Sequence, residues 1–396
     1  MAVARWHLAA IPALFLALAC GSDENSTPSG AGAATIPSSG GAATVSPSRG
    51  AFQPLPGEWD TDFSKASISN DELTQGQTKD GIPAISEPKF VAVLEAEFLG
   101  DQEPVIAFQL GEDVRAYPLQ ILTWHEIVND TVDGRPVLIT FCPLCNTAIA
   151  FDRNVDGRVL DFGVSGFLRK SDLVMFDRFS DSLWQQITGE ALVGQFTGTK
   201  LELLPSSIVA WADFRDKFPQ GKVLSRDTGF SRPYGRNPYE GYDDISSSPF
   251  LFRGTTDGRL QAMERVVTVE IEGDVAAYPF SLLEARPVVN DTVGGQPIVV
   301  FFKPGTASAL DLSAIADSRD VGSGTAFSPV SDGRTLTFSS NGNTFTDAET
   351  GSTWDIFGNA IAGGLKGKAL APIVSGNHFW FAWAAFKPET RVWDGS

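Results

Sequence analysis

Ile127-Val128-Asn129-Asp130-Thr131-Val132-Asp133-Gly134-Arg135-Pro136-Val137-Leu138-Ile139-Thr140-Phe141 reads as two strands around a two-residue turn. Apolar and β-branched residues fill both arms, and Asp-Gly supplies the two positive-φ positions a tight hairpin needs. The second arm runs into Cys142-Pro143-Leu144-Cys145-Asn146, and Thr147-Ala148-Ile149-Ala150-Phe151 reads as the next strand. The cysteine pair therefore sits at a strand–turn–strand corner of a β-meander. Upstream, Pro118 is placed to open a short helix with Leu119, Ile121 and Leu122 on its apolar face, ending near His125. Downstream, Ser206 or Ser207 is expected to cap a helix with Ile208, Trp211 and Phe218 inward, stopped by Pro219.

Much of this recurs. Ala116-Tyr117-Pro118 returns as Ala277-Tyr278-Pro279, and Val128-Asn129-Asp130-Thr131-Val132 as Val289-Asn290-Asp291-Thr292-Val293. Gly134, Pro136, Phe141 and Pro143 match Gly295, Pro297, Phe302 and Pro304 in the same ungapped register. Further on, Ser182-Leu183-Trp184 matches Ser352-Thr353-Trp354, and Trp211-Ala212-Asp213-Phe214 matches Trp383-Ala384-Ala385-Phe386. So long a period indicates duplication of a whole domain rather than a solenoid. The expected fold is α+β and β-rich: two tandem homologous domains, each a β-meander with a few short helices. They would span 54–230 and 250–396 of the 396 residues, joined by a connector over 231–249. Three of the five tyrosines, Tyr234, Tyr239 and Tyr242, fall in that connector. Packing between domains is its commoner role, and cover over the first domain's site is the alternative.

The second copy lacks the first one's chemistry. Arg286 stands in place of His125, Lys303 of Cys142 and Thr306 of Cys145, while Trp124 and Glu126 become Ala285 and Pro287. Loss of two thiols and an imidazole together marks them as one functional unit. Residues 167–172 have no counterpart, and Arg178 becomes Ala348. Trp124, Arg169, Asp172, Asp177 and Arg178 are accordingly candidate supporting or substrate contacts. His378 reads as part of a packed aromatic cluster.

Three chemistries suit the unit. Two thiolates and an imidazole make a soft site for Cu or Zn, with Cys142, Cys145 and His125 as ligands. Water, substrate or Glu126 would then take the fourth position, and Asn146 suits the left-handed residue that closes such a Cys-turn-Cys. A metal-free dithiol would use Cys142 as nucleophile, Cys145 as resolving thiol and His125 as base. A strand rather than a helix follows Cys145, so no helix N-terminus would lower its pKa. A local disulfide in an oxidising compartment is the third reading. The metal site is favoured, and whether the protein is an enzyme stays open.

A net charge of −18 disfavours nucleic acid and anionic membrane surfaces as ligands, while 28 Phe and 9 Trp allow ample burial. Arg5 and the apolar run Ile11–Ala19 ahead of Cys20 resemble a bacterial lipoprotein signal. That implies a signal peptide over 1–19, lipidation at Cys20, and a lipid-anchored, extracytoplasmic location in the cell envelope. The Ser-, Gly-, Ala- and Pro-rich segment 20–53 reads as a disordered tether.

Five stretches resemble the bacterial and archaeal family called domain of unknown function 3179. They are His125-Glu126-Ile127-Val128-Asn129-Asp130, Phe141–Asn146, Phe162-Gly163-Val164-Ser165-Gly166, Ser171–Arg178 and Ser182-Leu183-Trp184-Gln185-Gln186. Phe141 and Phe176 stand where the family pattern has Tyr. The resemblance implies a domain reaching from about Trp59 onward and assigns no activity.

Overall fold

A computed structural model of the chain describes residues 52–396. The expected signal peptide, Cys20 and nearly all of the 20–53 tether lie outside the described residues. No helix among the described residues is long and apolar enough to cross a membrane.

Strands dominate, as the alternating pattern predicts. In the first half β1 (Pro104–Leu110) and β2 (Asp113–Pro118) form a hairpin that leads into α1 (Leu119–His125). Strands β3 (Ile127–Val132), β4 (Arg135–Cys142) and β5 (Thr147–Asp152) then make the expected meander. At its first turn Asp133 and Gly134 have φ of 48° and 77°, the left-handed pair for which an Asp-Gly turn is suited. A further sheet holds β6 (Phe162–Arg169), β7 (Asp172–Asp177), β8 (Leu183–Gln185) and β9 (Ala191–Val193) in sequence order. The half closes with β10 (Ser207–Ala210), α2 (Trp211–Lys217) and β11 (Lys222–Leu224). β10 pairs with β1, and β11 lies parallel to β2.

The expected helix cap at Ser206 or Ser207 is not what forms. Ser207–Ala210 is strand, with Ile208 opposite Ile106 and Val209 opposite Val105, and the helix starts at Trp211. Two consecutive β-branched residues with a buried strand to pair against fit a sheet better than a first helical turn.

The second half runs through β12 (Arg265–Ile271), β13 (Asp274–Pro279), α3 (Phe280–Leu283), β14 (Val288–Val293), β15 (Gln296–Lys303) and β16 (Ser323–Phe327). It continues with β17 (Phe338–Asn341), β18 (Thr344–Asp347), β19 (Thr353–Trp354), β20 (Ala360–Ala362), β21 (Ser375–Phe379), α4 (Trp380–Phe386) and β22 (Arg391–Val392). Its sheets are ordered β21-β12-β13-β22, β14-β15-β16 and β17-β18-β19-β20, the orders found for β10-β1-β2-β11, β3-β4-β5 and β6-β7-β8-β9, although each first-half sheet carries one further edge strand, Phe90–Ala92, Leu203–Leu204 and Leu73–Gln75 in turn. Even a side-chain bond recurs: Trp184 Nε1 donates to Asp177 Oδ2 at 2.9 Å, and Trp354 Nε1 to Asp347 Oδ2 at 2.9 Å.

The described residues fall in one compact unit. The largest hydrophobic cluster draws on both halves, from Phe141 and Cys145 to Phe379 and Trp380. Thr147 on β5 and His378 on β21 join across it, Oγ1 to Nδ1 at 2.9 Å, and the His378 ring stacks on Trp383 at 5.0 Å between centroids. His378 is thus the packed aromatic-cluster residue expected.

Burial pushes the His378 imidazole down to about 3, so it is neutral in the fold. In the unfolded chain it takes a proton near its ordinary value of about 6.5. Its stabilisation is therefore intact above that pH and declines as pH falls from about 6.5 towards 3. Relative to a His378→Gln variant, the wild type should lose up to about 1.4 kcal/mol per pH unit in that window. Urea unfolding of both proteins at pH 7, 6 and 5 measures this, and parallel pH profiles would contradict it.

Candidate functional site

β4 ends at Cys142, and Pro143–Cys145 make a single 3-10 turn. Proline suits the first position because its fixed φ is already helical and its missing N–H is not needed there. Asn146, at φ 50° and ψ 36°, closes the turn and returns the chain to β5, as the sequence suggested. Both sulfurs are buried, and both cysteines are free thiols. Against them lies Asp172, at the start of β7. Lys170 and Ser171 precede it with φ of 52° and 66°, an uncommon pair for residues other than glycine. That turn brings the Ser171 carbonyl to 3.5 Å from Cys145 Sγ, where it accepts the thiol's hydrogen bond.

The ligating atoms of Cys142, Cys145 and Asp172 all lie within 4.8 Å of one another. Asp172 Oδ2 accepts from Gln185 Nε2 at 2.6 Å and from the Ile187 amide at 3.0 Å. Asp172 Oδ1 is fully buried and takes no hydrogen bond from a nitrogen or oxygen donor among the described residues; the Cys142 and Cys145 thiols are the donors that face the carboxyl. A thiol is a weak donor, so a buried oxygen that meets only thiols recovers little of the hydration it gives up.

The electrostatics point the same way. Burial pushes Asp172 up to about 7, against the hydrogen bonds from Ile187, Gln185 and the Cys145 and Cys142 thiols that pull it down. Glu126 is pushed up to about 8, first by burial and then by Asp172. Burial also raises the Cys142 thiol, and raises Cys145 well above its ordinary value. No Lys or Arg is among the main influences on these four groups. Four acids in a dry pocket without a positive partner are held there as neutral acids, or around a cation.

His125 is not part of the cluster. Its Nδ1 faces the Pro83 carbonyl at 2.7 Å and its Nε2 the Tyr234 hydroxyl at 2.6 Å. A carbonyl only accepts, so Nδ1 carries the hydrogen and Tyr234 donates to Nε2. With both nitrogens engaged, the expected roles of metal ligand and thiol base have no geometric basis here. Glu126 takes the left-handed C-cap of α1 (φ 58°) and meets the Tyr239 hydroxyl, beside the cluster rather than in it.

The supporting residues divide. Arg169 pairs with Glu72 at 2.6 Å and reaches Gln185 Oε1 at 3.5 Å, and so steadies the amide that holds Asp172. Trp124 Nε1 donates to the Arg236 carbonyl at 3.0 Å, which ties the connector down. Asp177 serves its own sheet through Trp184 and Ser180, and Arg178 makes a two-pronged pair with Asp80, each arm 2.7 Å. Neither supports the cysteine cluster.

The connector takes both roles weighed in the sequence: it packs against the second half, where the Asn237 amide donates to the Ser313 carbonyl, and it covers the first half's site. Tyr234 holds His125, Tyr239 meets Glu126, and Tyr242 Oη donates at 3.0 Å to the carbonyl of Leu144, between the two cysteines. Under it lies a cavity of about 440 Å³ lined by Glu126, Leu144, Tyr239 and Tyr242 and by residues of β6. Sequence reasoning placed Asp172 only among supporting contacts. Its signal was the absence of 167–172 from the second half.

No curated protein and no solved structure matches the chain. A family model described as protein of unknown function (DUF3179) matches residues 79–390, a span that takes in the cysteine turn, Asp172, the connector and nearly all of the second half. The chain belongs to the domain of unknown function 3179 family.

Proposed function

We propose that this is a lipid-anchored, extracytoplasmic protein whose first half binds a soft metal ion through Cys142, Cys145 and Asp172. The observation that carries the reading is the buried Asp172 carboxyl, whose Oδ1 is met only by thiol donors and which lies within 4.8 Å of two free thiols. A cation there would satisfy that oxygen and offset the acids at once. Two thiolates with one carboxylate suit Zn(II) better than Cu(I), because the oxygen is a hard donor. Three protein ligands leave a position for water or a bound molecule, the arrangement of reactive rather than structural zinc. The second half is read as a degenerate copy that serves as scaffold. The matching sheet orders support this, as do the replacements: Lys303 pairs with Asp213 and Thr306 bonds Ser323.

A metal-free thiol–disulfide exchange is the second reading. It is favoured by the placement of Asp172, a buried carboxyl pushed to about 7, where it can take a proton from either thiol. The dithiol would be oxidised to a Cys142–Cys145 disulfide as an incoming disulfide is reduced to two thiols.

Elemental analysis of the purified protein, with zinc competition against a chelator, separates the two. Near-stoichiometric zinc is expected, lost in Cys142→Ser, Cys145→Ser and Asp172→Asn. No bound metal in the wild type, with a readily reduced disulfide, would favour the second reading. Gln185→Leu removes the donor that orients Asp172, and should weaken zinc binding by about 10- to 100-fold. His125→Gln should keep the zinc and, in the chelated protein, speed alkylation of the thiols by a small reagent, because it frees Tyr234. Zinc lost in His125→Gln with Asp172→Asn still loaded would reverse the assignment of ligands.

A further inference from the structure

The cavity under the connector has a chemistry of its own. β6 bulges where its register against β7 shifts between Val164 and Leu168. At the bulge Gly166 (φ 83°) backs directly onto the Gln77 carbonyl, where a side chain would collide. Bulges of this kind re-aim a strand beside a functional site. Phe167 and Leu168 of the bulged strand line the cavity, as do Tyr239, Tyr242 and Phe250. The second half has only the short β17 at this place.

Glu126 is the buried polar group of the cavity, and the exposed Glu240 lines it too. Among the described residues, no Lys, Arg or His lines it. An anion would meet two carboxyl groups and no positive partner. An apolar body would bury against Val164, Phe167, Leu168 and Leu173, and a cationic head would find a carboxyl group beside two tyrosine rings. Cys142, Cys145 and Asp172 do not line the cavity, so an occupant sits beside the thiols with Leu144 and Leu173 between.

We infer that this cavity binds a small, mostly apolar organic ammonium, with its charged head against Glu126 and its body along the bulged strand. The inference stands apart from the metal reading, since it needs neither thiol.

Calorimetric titration of the protein with phenethylamine, phenethyl alcohol and phenylacetate tests it, because the three share one body and differ in the head group. At pH 9, where Glu126, pushed up to about 8, carries its charge, the amine should bind at least about ten-fold more tightly than the alcohol, and phenylacetate should not bind. Glu126→Gln should erase the preference for the amine over the alcohol. Leu168→Trp, which fills the wall and keeps Glu126, should abolish amine binding. Melting curves on the same samples establish that the variants are folded. Binding of the alcohol as tightly as the amine, binding of phenylacetate, a folded Glu126→Gln that keeps the preference, or no binding of the amine would each overturn the inference.

Discussion

Asp172 is fully buried, with one oxygen held by Gln185 and Ile187 and the other met only by two thiols. Much of the first half is arranged to keep it there. The β6–β7 hairpin turns through two left-handed residues, Lys170 and Ser171, to start β7 with the carboxyl facing inward. The pair of Arg169 and Glu72 lies behind Gln185. The cysteine turn arrives from the neighbouring sheet, fixed by Pro143 at one end and Asn146 at the other. Non-glycine residues at positive φ cost energy that the surrounding packing must offset, and such residues cluster where geometry matters more than stability.

The connector completes the enclosure. Its three tyrosines each reach a different piece of the motif: His125, Glu126 and the peptide between the cysteines. Each presents a ring to apolar neighbours and a hydroxyl to a polar one, a use for which tyrosine is well suited. The connector also ties into the second half, where the Asn237 amide donates to the Ser313 carbonyl and Asp243 takes Arg265 and Ser308. The second half thus supports the strap that closes the first, and its own equivalent of the cysteine turn is filled by Lys303 and Thr306.

Local features were legible in the sequence, and remote ones were not. The Asp133-Gly134 hairpin, the helix from Leu119 to His125 and the left-handed Asn146 follow from residue chemistry within a few positions. β10 was misjudged because Ile208 and Val209 answer to a partner strand about a hundred residues away. Comparison of the two halves pointed to the cysteine turn, since Arg286, Lys303 and Thr306 stand where the first half has His125, Cys142 and Cys145. It did not separate a ligand from an anchor: a histidine that holds a tyrosine differs between the halves just as a ligand would. Asp172 was within reach, in the one segment the second half lacks, but nothing local reveals that Gln185 would take one of its oxygens and leave the other to the thiols.

The most direct test is an anomalous difference map at the zinc edge from crystals grown with zinc. A single peak about 2.3 Å from Cys142 Sγ and Cys145 Sγ, and about 2.0 to 2.2 Å from Asp172 Oδ1, is the expected result. No peak at the cysteine turn, or a peak coordinated by His125 in place of Asp172, would contradict it.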